Sequence, residues 1–573
     1  MTRKKLYSLS LLSGILFFLS WPPFGFPFFL FIAFVPLLQI EHAFSSRQTS
    51  ARRTLLFGLS YLTFFIWNFS AIWWVYNASL GGAVMAVFGN AFIMSAVFWI
   101  FHLTKRKLLK SHISYLTSQI CFVIFWLAFE FCHYRWDLNW PWLTLGNAFA
   151  KNHTWIQWYE YTGTLGGSLW ALVVNLMIFF LLRNGRWQMA DGRWKIVGMG
   201  VTILIPILLS LLRYNTYDAI PYLYPTQKVN VVVVQPNIDP YSEKFSGMNF
   251  EEQLNKMLGL AKQKVDSTTD YLLFPETALT ENIWENDLET TTSIQMLKAF
   301  LKPYPKLKII TGASTFRLYE EGKKISVTAR KFKQQEGYYD AFNTTLQIDN
   351  SDSIQVYHKS KLVPGVERMP YPAVFGFLED LAIDMGGTSG SLGTQEERTV
   401  FTSLILPLSD SLIQSNQEME KKGNGEREKK IGGVAPVICY ESIFGEYVRE
   451  FVRNGATLIF IITNDGWWGD TPGYKQHLIF GRLRAIETRR SIARSANTGI
   501  SCFFSERGDI SQATEWWKPT VIKTSINNNS EKTFYVKHGD IIGRVCFYVS
   551  GIILLLISAS SLRARFVAKQ SHR

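Results

Sequence analysis

The chain has 573 residues, of which 48% are hydrophobic and 18% charged, and its formal net charge is +14. Soluble domains carry roughly 25% charged residues, so the composition excludes an ordinary soluble protein, a disordered one and, with five cysteines, a disulfide-stapled one. Residues 1–227 and 538–573 carry charges of +11 and +4, whereas 228–537 carry −1. A basic excess confined to the two apolar ends argues against nucleic-acid binding and predicts membrane segments with cationic loops.

Eight apolar stretches are long enough to cross a membrane. A hydrocarbon core of about 30 Å requires about 20 mostly apolar residues in a helix. The first stretch follows three basic residues, as in a secretory signal, but residues 21–25 offer no small-residue cleavage site, so we expect a retained helix. The predicted spans are 6–21, 24–40, 54–77, 81–103, 115–134, 162–182, 196–213 and 541–562.

The connections between these spans predict their orientation. Basic side chains lie at both termini and in the second, fourth and sixth connections, whereas the first and third connections contain no charged residue. Lys and Arg collect in the cytoplasmic loops of membrane proteins. We therefore expect both termini in the cytoplasm and residues 228–537 on the outer side of the inner or plasma membrane.

The fifth connection, residues 130–161, is long and rich in tryptophan. Such rings are typical of an aromatic belt at headgroup level, and a lipid-entry rim is the alternative. Glu130 stands at the outer end of a predicted span, where a carboxylate either simply reaches water or has a functional role. The sequence leaves both questions open.

Residues 228–537 show a different sequence pattern, in which short β-rich runs alternate with amphipathic helical ones. We predict a layered α/β domain between a seven-helix region at 1–227 and a C-terminal helix and tail at 538–573. Residues 409–430 are polar and densely charged, which is typical of a solvated insertion. The predicted strands are 229–234, 271–274, 308–311, 343–348, 354–358, 434–438 and 458–463, and the predicted helices include 250–265 and 475–494.

Three reactive side chains, Glu276, Lys359 and Cys439, each stand just past the end of a predicted apolar strand. In open α/β sheets, ligands collect where strands end and loops begin, so the three are expected to converge on one pocket. Each alone is a weak signal. A Glu or Lys after a strand is usually a solvated turn residue, and a lone Cys in a β run is usually a small buried apolar residue.

The three residue types together suit acyl transfer. A thiol is nucleophilic as its thiolate, which a neighbouring base and cation can generate. Glu276 would accept the thiol proton, while Lys359 and the backbone N–H of Tyr440 would stabilise the developing oxyanion. The sequence has no HExxH motif and no CxxC pair, so we expect no metal and no other cofactor.

A disulfide is an alternative role for Cys439. Cys439 and Cys502 are the only cysteines between residues 228 and 537, and an oxidising compartment permits a bridge between them. The position of Cys439 at a strand end, next to Tyr440 and Glu441, favours the nucleophile.

The order Glu276, Lys359, Cys439 resembles the Glu-Lys-Cys triad of the nitrilase superfamily, whose fold is an αββα sandwich. With eight flanking spans, the chain is similar over nearly its whole length to the apolipoprotein N-acyltransferase family. The resemblance implies an α-helical membrane bundle joined to an extracytoplasmic nitrilase-like α/β domain. It also implies that the triad residues are general base, oxyanion-stabilising cation and acyl-carrying nucleophile, respectively.

The segments that carry the resemblance include several supporting positions. Glu367, Tyr440 and Glu441 match family positions that support the site. Two departures are Pro364-Gly365-Val366-Glu367, where the family often reads PFGE, and Phe245, which follows a Lys where the family commonly has Trp. The matching segments are FPETA at 274–278, YHKSKLVP at 357–364, VICYES at 437–442, PWL at 141–143, and TNDGWWGD at 463–470, which contains Trp467.

The resemblance implies a ping-pong reaction at a bacterial inner membrane, with the catalytic domain in the periplasm. A phospholipid gives its acyl chain to Cys439, and the α-amino group of a diacylglyceryl-modified N-terminal cysteine then accepts it. The partners would be this phospholipid, the modified apolipoprotein and the lipid bilayer, with no nucleic acid.

Two other classes of protein stay open. A membrane-tethered nitrilase-type amidase would share the triad but hydrolyse a soluble amide, for which eight spans are more anchor than needed. A transporter would explain the spans but not the triad, and it would place more ionisable residues within them.

Overall fold

The computed structural model describes residues 1–45, 50–183, 190–217, 227–245, 247–320, 322, 324–371, 391–403 and 432–570. The predicted insertion at 409–430 lies outside these residues. Within them the chain forms a helical region up to Thr216, an α/β domain from Gln227 to His538, and a last long helix.

Helices account for nearly all of the first region and cover the sheets of the second. In chain order they are α1 Arg3–Ser20, α2 Leu30–Ala33, α3 Val35–Ser45, α4 Ser50–Ile72, α5 Leu80–Val84, α6 Asn90–Lys110, α7 Tyr115–His133, α8 Tyr159–Thr162, α9 Thr164–Arg183, α10 Ala190–Thr216, α11 Phe250–Ala261, α12 Thr292–Leu301, α13 Gly445–Arg453, α14 Pro472–Thr488, α15 Phe534–His538 and α16 Ile541–Gln570.

Seven helical stretches in the described part of the chain are long and apolar enough to cross a membrane, and each overlaps one predicted span. The eighth predicted span, 6–21, coincides with α1, whose 18 residues begin with three basic side chains. At 1.5 Å per residue α1 is about 27 Å long, and it is not among the seven. The seven stretches are Pro27–Ser45, Arg53–Asn77, Leu80–Lys110, Tyr115–His133, Thr164–Arg183, Trp194–Thr216 and Ile541–Ala559.

Helix α1 is nevertheless an integral part of the helical region. Ser10 Oγ donates to the Leu59 carbonyl oxygen at 2.6 Å, and Phe17 stacks on Trp67 with ring centroids 4.5 Å apart. At Gly14 a Cβ would come within 2.8 Å of the Thr63 carbonyl oxygen. Glycine therefore allows α1 and α4 to approach closely.

Buried charged side chains join α3, α6 and α7 at the C-terminal end of α6. Glu41 accepts a hydrogen bond from Lys105 Nζ at 2.5 Å and pairs with His102 Nδ1 at 2.7 Å. All three side chains are fully buried, and Lys105 Nζ also donates to the Tyr115 hydroxyl at 3.3 Å. We call Glu41, His102 and Lys105 the Glu41 cluster.

The α/β domain contains two β-sheets. The strands are β1 Gln227–Gln235, β2 Tyr271–Leu273, β3 Leu279–Trp284, β4 Lys308–Leu318, β5 Arg330–Lys331, β6 Tyr338–Ile348, β7 Gln355–His358, β8 Phe401–Ser403, β9 Gly432–Ile438, β10 Ala456–Thr463, β11 Ile492–Ala496, β12 Cys502–Phe504, β13 Ile510–Ser511 and β14 Thr520–Asn528. In the eight-stranded sheet the order is β14-β1-β2-β4-β6-β5, with β3 paired to β4 and β7 to β6; in the six-stranded sheet it is β13-β12-β11-β10-β9-β8.

Alternating side chains of the central strands build a four-layer αββα sandwich. Val231 and Val233 of β1 belong to the same buried cluster as Ile461 of β10, and Tyr271 packs edge-on against Phe460 of the other sheet at 5.1 Å. Because successive side chains of a strand face opposite ways, the intervening valines of β1 pack with α11 and α12 instead. Parallel pairing of β1, β2 and β4, and of β9, β10 and β11, aligns their carboxyl ends at one edge of each sheet.

The predicted helix at 475–494 is too long. Helix α14 ends at Thr488, Arg489 adopts a left-handed conformation with φ of 50°, and β11 then pairs in parallel with β10. Burial of Ile492 to Ala496 against β10 outweighs the helical pattern of the preceding residues.

Around its PWL segment, the tryptophan-rich connection is buried inside the protein and does not form an interfacial belt. Trp142 is 1% exposed and contacts Trp74 and Trp468 with ring centroids 4.9 Å and 5.8 Å away. Glu130 does not reach water: it is 2% exposed and accepts hydrogen bonds from Trp126 Nε1 at 3.0 Å and the Leu145 amide at 2.9 Å. The carboxylate is therefore a buried link between α7 and the connection that follows it.

Candidate active site

The side chains of Glu276, Lys359 and Cys439 line one cavity, although they follow three different strands. Glu276 comes just after β2 and Lys359 directly after β7, both in the eight-stranded sheet, whereas Cys439 directly follows β9 of the other sheet. Lys359 Nζ lies 3.0 Å from Glu276 Oε1. The sandwich thus brings together residues that are up to 163 positions apart in the chain.

Glu276 is held by hydrogen bonds to both carboxylate oxygens. Asn343 Nδ2 donates to Oε1 at 2.8 Å, and the backbone N–H of Asn464 donates to Oε2 at 3.1 Å. Burial raises the pKa of Glu276, but the Lys359 ammonium and these bonds outweigh it and hold the pKa below its usual 4.5. The turn that carries Glu276 packs closely against Gly312 of β4. A Cβ at Gly312 would come within 2.4 Å of the Thr277 amide nitrogen, so this position requires glycine.

Lys359 bridges two carboxylates. Its Nζ donates to Glu276 Oε1 at 3.0 Å and to Glu367 Oε1 at 2.8 Å, and its side chain is nearly fully buried. Burial lowers the pKa of Lys359, but Glu276 and Glu367 raise it well above its usual value. Glu367 Oε2 also accepts from the Val363 amide at 2.8 Å. The segment Pro364 to Glu367 departs from the family pattern, but it still places the Glu367 carboxylate against Lys359.

Cys439 has a strained backbone and a thiol whose pKa is raised. Its φ of 46° is unusual for a residue with a side chain, and its carbonyl oxygen accepts from Ser442 Oγ at 2.7 Å and faces His477 Nε2 at 3.1 Å. Burial and the Glu276 carboxylate raise the pKa of the thiol, against an opposing effect of Lys359. A base is therefore needed to generate the thiolate.

The supporting residues expected from sequence lie around this centre. Glu441 accepts hydrogen bonds from the Tyr357 hydroxyl and the Ser360 amide, each at 2.7 Å, so it ties the Cys439 turn to the Lys359 segment. Burial raises the pKa of Glu441. The Tyr440 hydroxyl donates to the Asn139 carbonyl oxygen at 2.9 Å, which links the same turn to the connection after α7.

The cavity measures about 500 Å³ and runs from this centre into the helical region. Phe245 and Trp467 line it with parallel rings whose centroids are 6.3 Å apart. Trp140 lines it between Tyr440 and Trp142, at ring distances of 6.0 Å and 5.5 Å. Part of the cavity wall belongs to the continuous helix Leu80–Lys110 and includes Gly82, Met85, Ala86, Gly89, Asn90 and Ile93, which we call the helical groove.

Sequence reasoning gave no individual role to Asn343, Asn464 or the pair Asp465–His477, although 463–470 is one of the matching segments. His477 Nδ1 lies 2.9 Å from Asp465 Oδ1 behind the Cys439 carbonyl, and Arg494 Nη2 donates to Asp465 Oδ2 at 2.5 Å. Polar residues inside or directly after apolar strands were the available signal, but their partners come from other strands.

The described residues contain no disulfide. All five cysteines, each of which lies in a described segment, are unpaired, so the alternative bridge between Cys439 and Cys502 is wrong. Among the described residues no group of three or more His, Cys, Asp or Glu is arranged to hold a metal ion.

Comparison with known proteins agrees with this architecture. Residues 230–534, more than half of the chain, match the carbon-nitrogen hydrolase family model, which defines the class of the α/β domain. Residues 13–177 match the apolipoprotein N-acyltransferase N-terminal domain. Apolipoprotein N-acyltransferase of Chlorobaculum tepidum is 30% identical over 96% of this chain and 96% of its own, and that of Thermotoga maritima is 26% identical over 97% and 94%. The chain belongs to the apolipoprotein N-acyltransferase family.

Solved structures similar to this chain include a nitrilase-superfamily protein of Saccharomyces cerevisiae, 14% identical, which matches over 52% of this chain and 90% of its own with a TM-score of 0.35. An amidase from Nesterenkonia sp. is 12% identical over 53% of this chain and 91% of its own, with a TM-score of 0.32.

Proposed function

We propose that this chain moves an acyl chain from a phospholipid, through a thioester on Cys439, to the α-amino group of the N-terminal diacylglyceryl-cysteine of an apolipoprotein. The observation that carries the proposal is the cavity, which is lined both by Glu276, Lys359 and Cys439 and by the helical groove. An apolar groove in a membrane-spanning helix suits an acyl chain.

In the first half-reaction the Cys439 sulfur attacks the ester carbonyl carbon of the phospholipid while Glu276 accepts the thiol proton. Lys359 Nζ and the Tyr440 amide stabilise the oxyanion of the tetrahedral intermediate. The intermediate collapses by breaking the ester C–O bond, and Glu276 returns the proton to the departing lysophospholipid oxygen. A thioester on Cys439 remains.

In the second half-reaction the neutral α-amino group of the acceptor attacks the thioester carbonyl. Glu276 accepts an amine proton, the C–S bond breaks, and the proton passes to the Cys439 thiolate. The products are an amide and free enzyme. Because Glu276 starts ionised and ends ionised in each half, one carboxylate serves both.

The supporting residues act by position. Glu367 and Glu441 fix Lys359 and the Cys439 turn through the hydrogen bonds described above. Tyr440 supplies its backbone N–H. Phe245 and Trp467 provide an aromatic part of the cavity wall, against which the acceptor's lipid or peptide packs.

The membrane arrangement is part of the proposal. We count eight spans by including α1, because it packs along α4. With the basic connections inside, both termini are cytoplasmic, and the catalytic domain at 228–537, between helical parts at 1–227 and 538–573, is periplasmic at the inner membrane. A tag after Arg573 should resist labelling from outside spheroplasts, and outside labelling would contradict this topology.

Purified protein incubated with labelled phospholipid and a diacylglyceryl lipopeptide tests the activity. We expect label in an amide of the lipopeptide and one lysophospholipid released per transfer. The second candidate, a membrane-tethered nitrilase-type amidase, would hydrolyse a soluble amide and leave the lipopeptide unlabelled. That result would contradict the proposal.

A further inference from the structure

The Cys439 carbonyl oxygen is in contact with two buried side chains. Ser442 Oγ donates to it at 2.7 Å, and His477 Nε2 lies 3.1 Å from it. His477 belongs to α14, is fully buried and does not line the cavity. Any effect of His477 on the reaction therefore acts through the Cys439 backbone and not through contact with the substrate.

Asp465 and Arg494 determine how the His477 ring is oriented. Asp465 Oδ1 lies 2.9 Å from His477 Nδ1, and Asp465 Oδ2 accepts from Arg494 Nη2 at 2.5 Å. Arg494 Nη2 also comes within 3.2 Å of Nδ1, but its shorter contact is with the carboxylate. Burial raises the pKa of Asp465, but the Arg494 guanidinium and His477 outweigh it and hold the pKa below its usual value. An ionised carboxylate can only accept, so Nδ1 donates to it and Nε2 faces the Cys439 carbonyl.

The contact between His477 Nε2 and the Cys439 carbonyl oxygen needs a proton from the histidine. A carbonyl oxygen has none to give. Ser442 Oγ lies 3.0 Å from Nε2 and 2.7 Å from the carbonyl oxygen, and its hydroxyl proton is engaged at the shorter contact. A hydrogen bond between Nε2 and the carbonyl oxygen therefore takes its proton from Nε2.

The carbonyl that His477 faces belongs to the same peptide group as the Tyr440 N–H. A peptide group is planar and trans, so its C=O and N–H point in opposite directions. Cys439 has a φ of 46°, and a strained backbone of this kind persists only when its surroundings hold it. Because the carbonyl oxygen is held on the side of His477, the Tyr440 N–H is held on the opposite side.

Resting on the proposed acyl transfer, we propose that His477 is a positioning residue: protonated on both ring nitrogens, it donates from Nε2 to the Cys439 carbonyl oxygen and so aims the Tyr440 N–H at the oxyanion. The hydrogen bond also polarises the peptide group, which makes the Tyr440 N–H a stronger donor. His477 exchanges no proton with the substrate, and its effect is confined to the tetrahedral intermediate.

The test compares two reactions of the Cys439 sulfur in the full-length protein, each followed on the peptide that contains Cys439. p-Nitrophenyl butyrate acylates the sulfur through a tetrahedral oxyanion and releases p-nitrophenolate, whereas iodoacetamide alkylates it by displacing iodide, without an oxyanion. His477→Asn keeps an N–H near the Nδ1 position but has none that reaches the carbonyl. It should lower the maximal acylation rate about 30-fold, less than the roughly 10²- to 10³-fold lost with a whole oxyanion donor, and leave KM and the alkylation rate unchanged.

Two further variants provide the rescue and the control. His477→Gln carries an N–H that reaches the Nε2 position, so it should keep most of the acylation rate. His102 is another buried histidine beside a carboxylate, that of Glu41, and does not line the cavity. His102→Gln should therefore leave the ratio of acylation to alkylation unchanged. If His477→Asn fails to fold, Ser442→Ala removes the other donor to the same carbonyl and should lower this ratio about fivefold.

Equal losses in acylation and alkylation would show that His477 only places the sulfur, and equal acylation rates for His477→Asn and His477→Gln would show that no donor is needed at Nε2. Either result would overturn the proposal, as would wild-type acylation in His477→Asn. A wild-type protein that the butyrate ester acylates on Cys439 but phospholipid does not would instead overturn the proposed function.

Discussion

Two regions in the described part of the molecule bury a glutamate against a lysine, and one of them lines the cavity described above. In the Glu41 cluster, Lys105 and His102 saturate a buried carboxylate between α3 and α6. In the α/β domain, Glu276 and Lys359 make a similar pair, but both line the 500 Å³ cavity beside Cys439.

The difference shows that a buried ion pair does not by itself indicate chemistry. Removing one partner of a pair such as Glu41 and Lys105 leaves an uncompensated buried charge, which lowers the free energy of unfolding. Lys359 has a second carboxylate in Glu367, so Glu276 can exchange a proton while the ammonium stays paired. Predictions that separate stability from turnover therefore sharpen the comparison.

The largest effect is expected at Cys439. Cys439→Ser should lower acyl transfer by about 10⁴-fold or more, because a hydroxyl has a far higher pKa than a thiol and Glu276 ionises it poorly. Phospholipid alone should leave one hydroxylamine-labile acyl group on the peptide that contains Cys439. Cys502→Ser is the control and should keep wild-type activity; loss of activity there as well would speak against the thioester mechanism.

A matched pair of substitutions tests the comparison directly. Glu276→Gln should lower turnover about 10³-fold with a small change in melting temperature, because Lys359 keeps Glu367. Glu41→Gln should destabilise by about 3–5 kcal/mol but leave the turnover of the folded fraction near normal. Thermal unfolding and acyl transfer are measured on both variants. A loss of stability in Glu276→Gln together with a loss of turnover in folded Glu41→Gln would contradict the distinction between the two pairs.

A smaller loss is expected for Glu367→Gln. It removes one charged hydrogen bond to Lys359, worth roughly 2 kcal/mol, or about 30-fold in turnover. The Gln amide oxygen can still accept from the Val363 amide, so the melting temperature should hold. Wild-type activity at full stability would show that Lys359 does not depend on this carboxylate.

The helical groove predicts control of acyl length. At Gly89 a Cβ meets nothing within 4 Å, so Gly89→Leu should fold and fill the groove. Transfer of long acyl chains should fall about tenfold, and transfer of short chains should not. Gly198 is equally open but does not line the cavity, so Gly198→Leu is the matched control. Equal loss for short and long chains would rule out the groove as acyl site.

The smallest effect is in the pH dependence of the two half-reactions. The pKa of Glu276 is lowered below 4.5 and that of Lys359 is raised well above 10.5, so both stay charged from about pH 5 to 10. Acylation by phospholipid should therefore be flat over this range. Transfer should rise about fivefold from pH 7 to 8, since an α-amino group with a pKa of about 8 must lose its proton to attack. Stopped half-reactions measure both, and a parallel rise would assign the titration to the enzyme.

Much of the fold was predictable because its signals are local. Length and apolarity alone predicted seven helical stretches that the described part of the chain contains, and strand-like runs at 229–234 and 458–463 correspond to β1 and β10. The predicted helix at 475–494 failed at Thr488, because the pairing of β11 with β10 involves residues distant in sequence.

The site was predictable only as far as its strand ends. Glu276, Lys359 and Cys439 each stand at the end of an apolar run, and their catalytic roles stay predictions until the variants are measured. Asn343 had no comparable signal in the sequence. The role of its side-chain amide depends on the Glu276 carboxylate, which the segment after β2 places within hydrogen-bond distance.

The sequence by itself determined which segments are long and apolar enough to cross a membrane, which form strands, and which reactive side chains stand at their ends, because hydropathy and periodicity are properties of neighbouring residues. Only the tertiary structure decided that Glu130 is buried, that Lys359 has two carboxylates, and that a cavity extends from Cys439 into the helical groove. Those features depend on contacts between elements far apart in the chain, which no local pattern encodes.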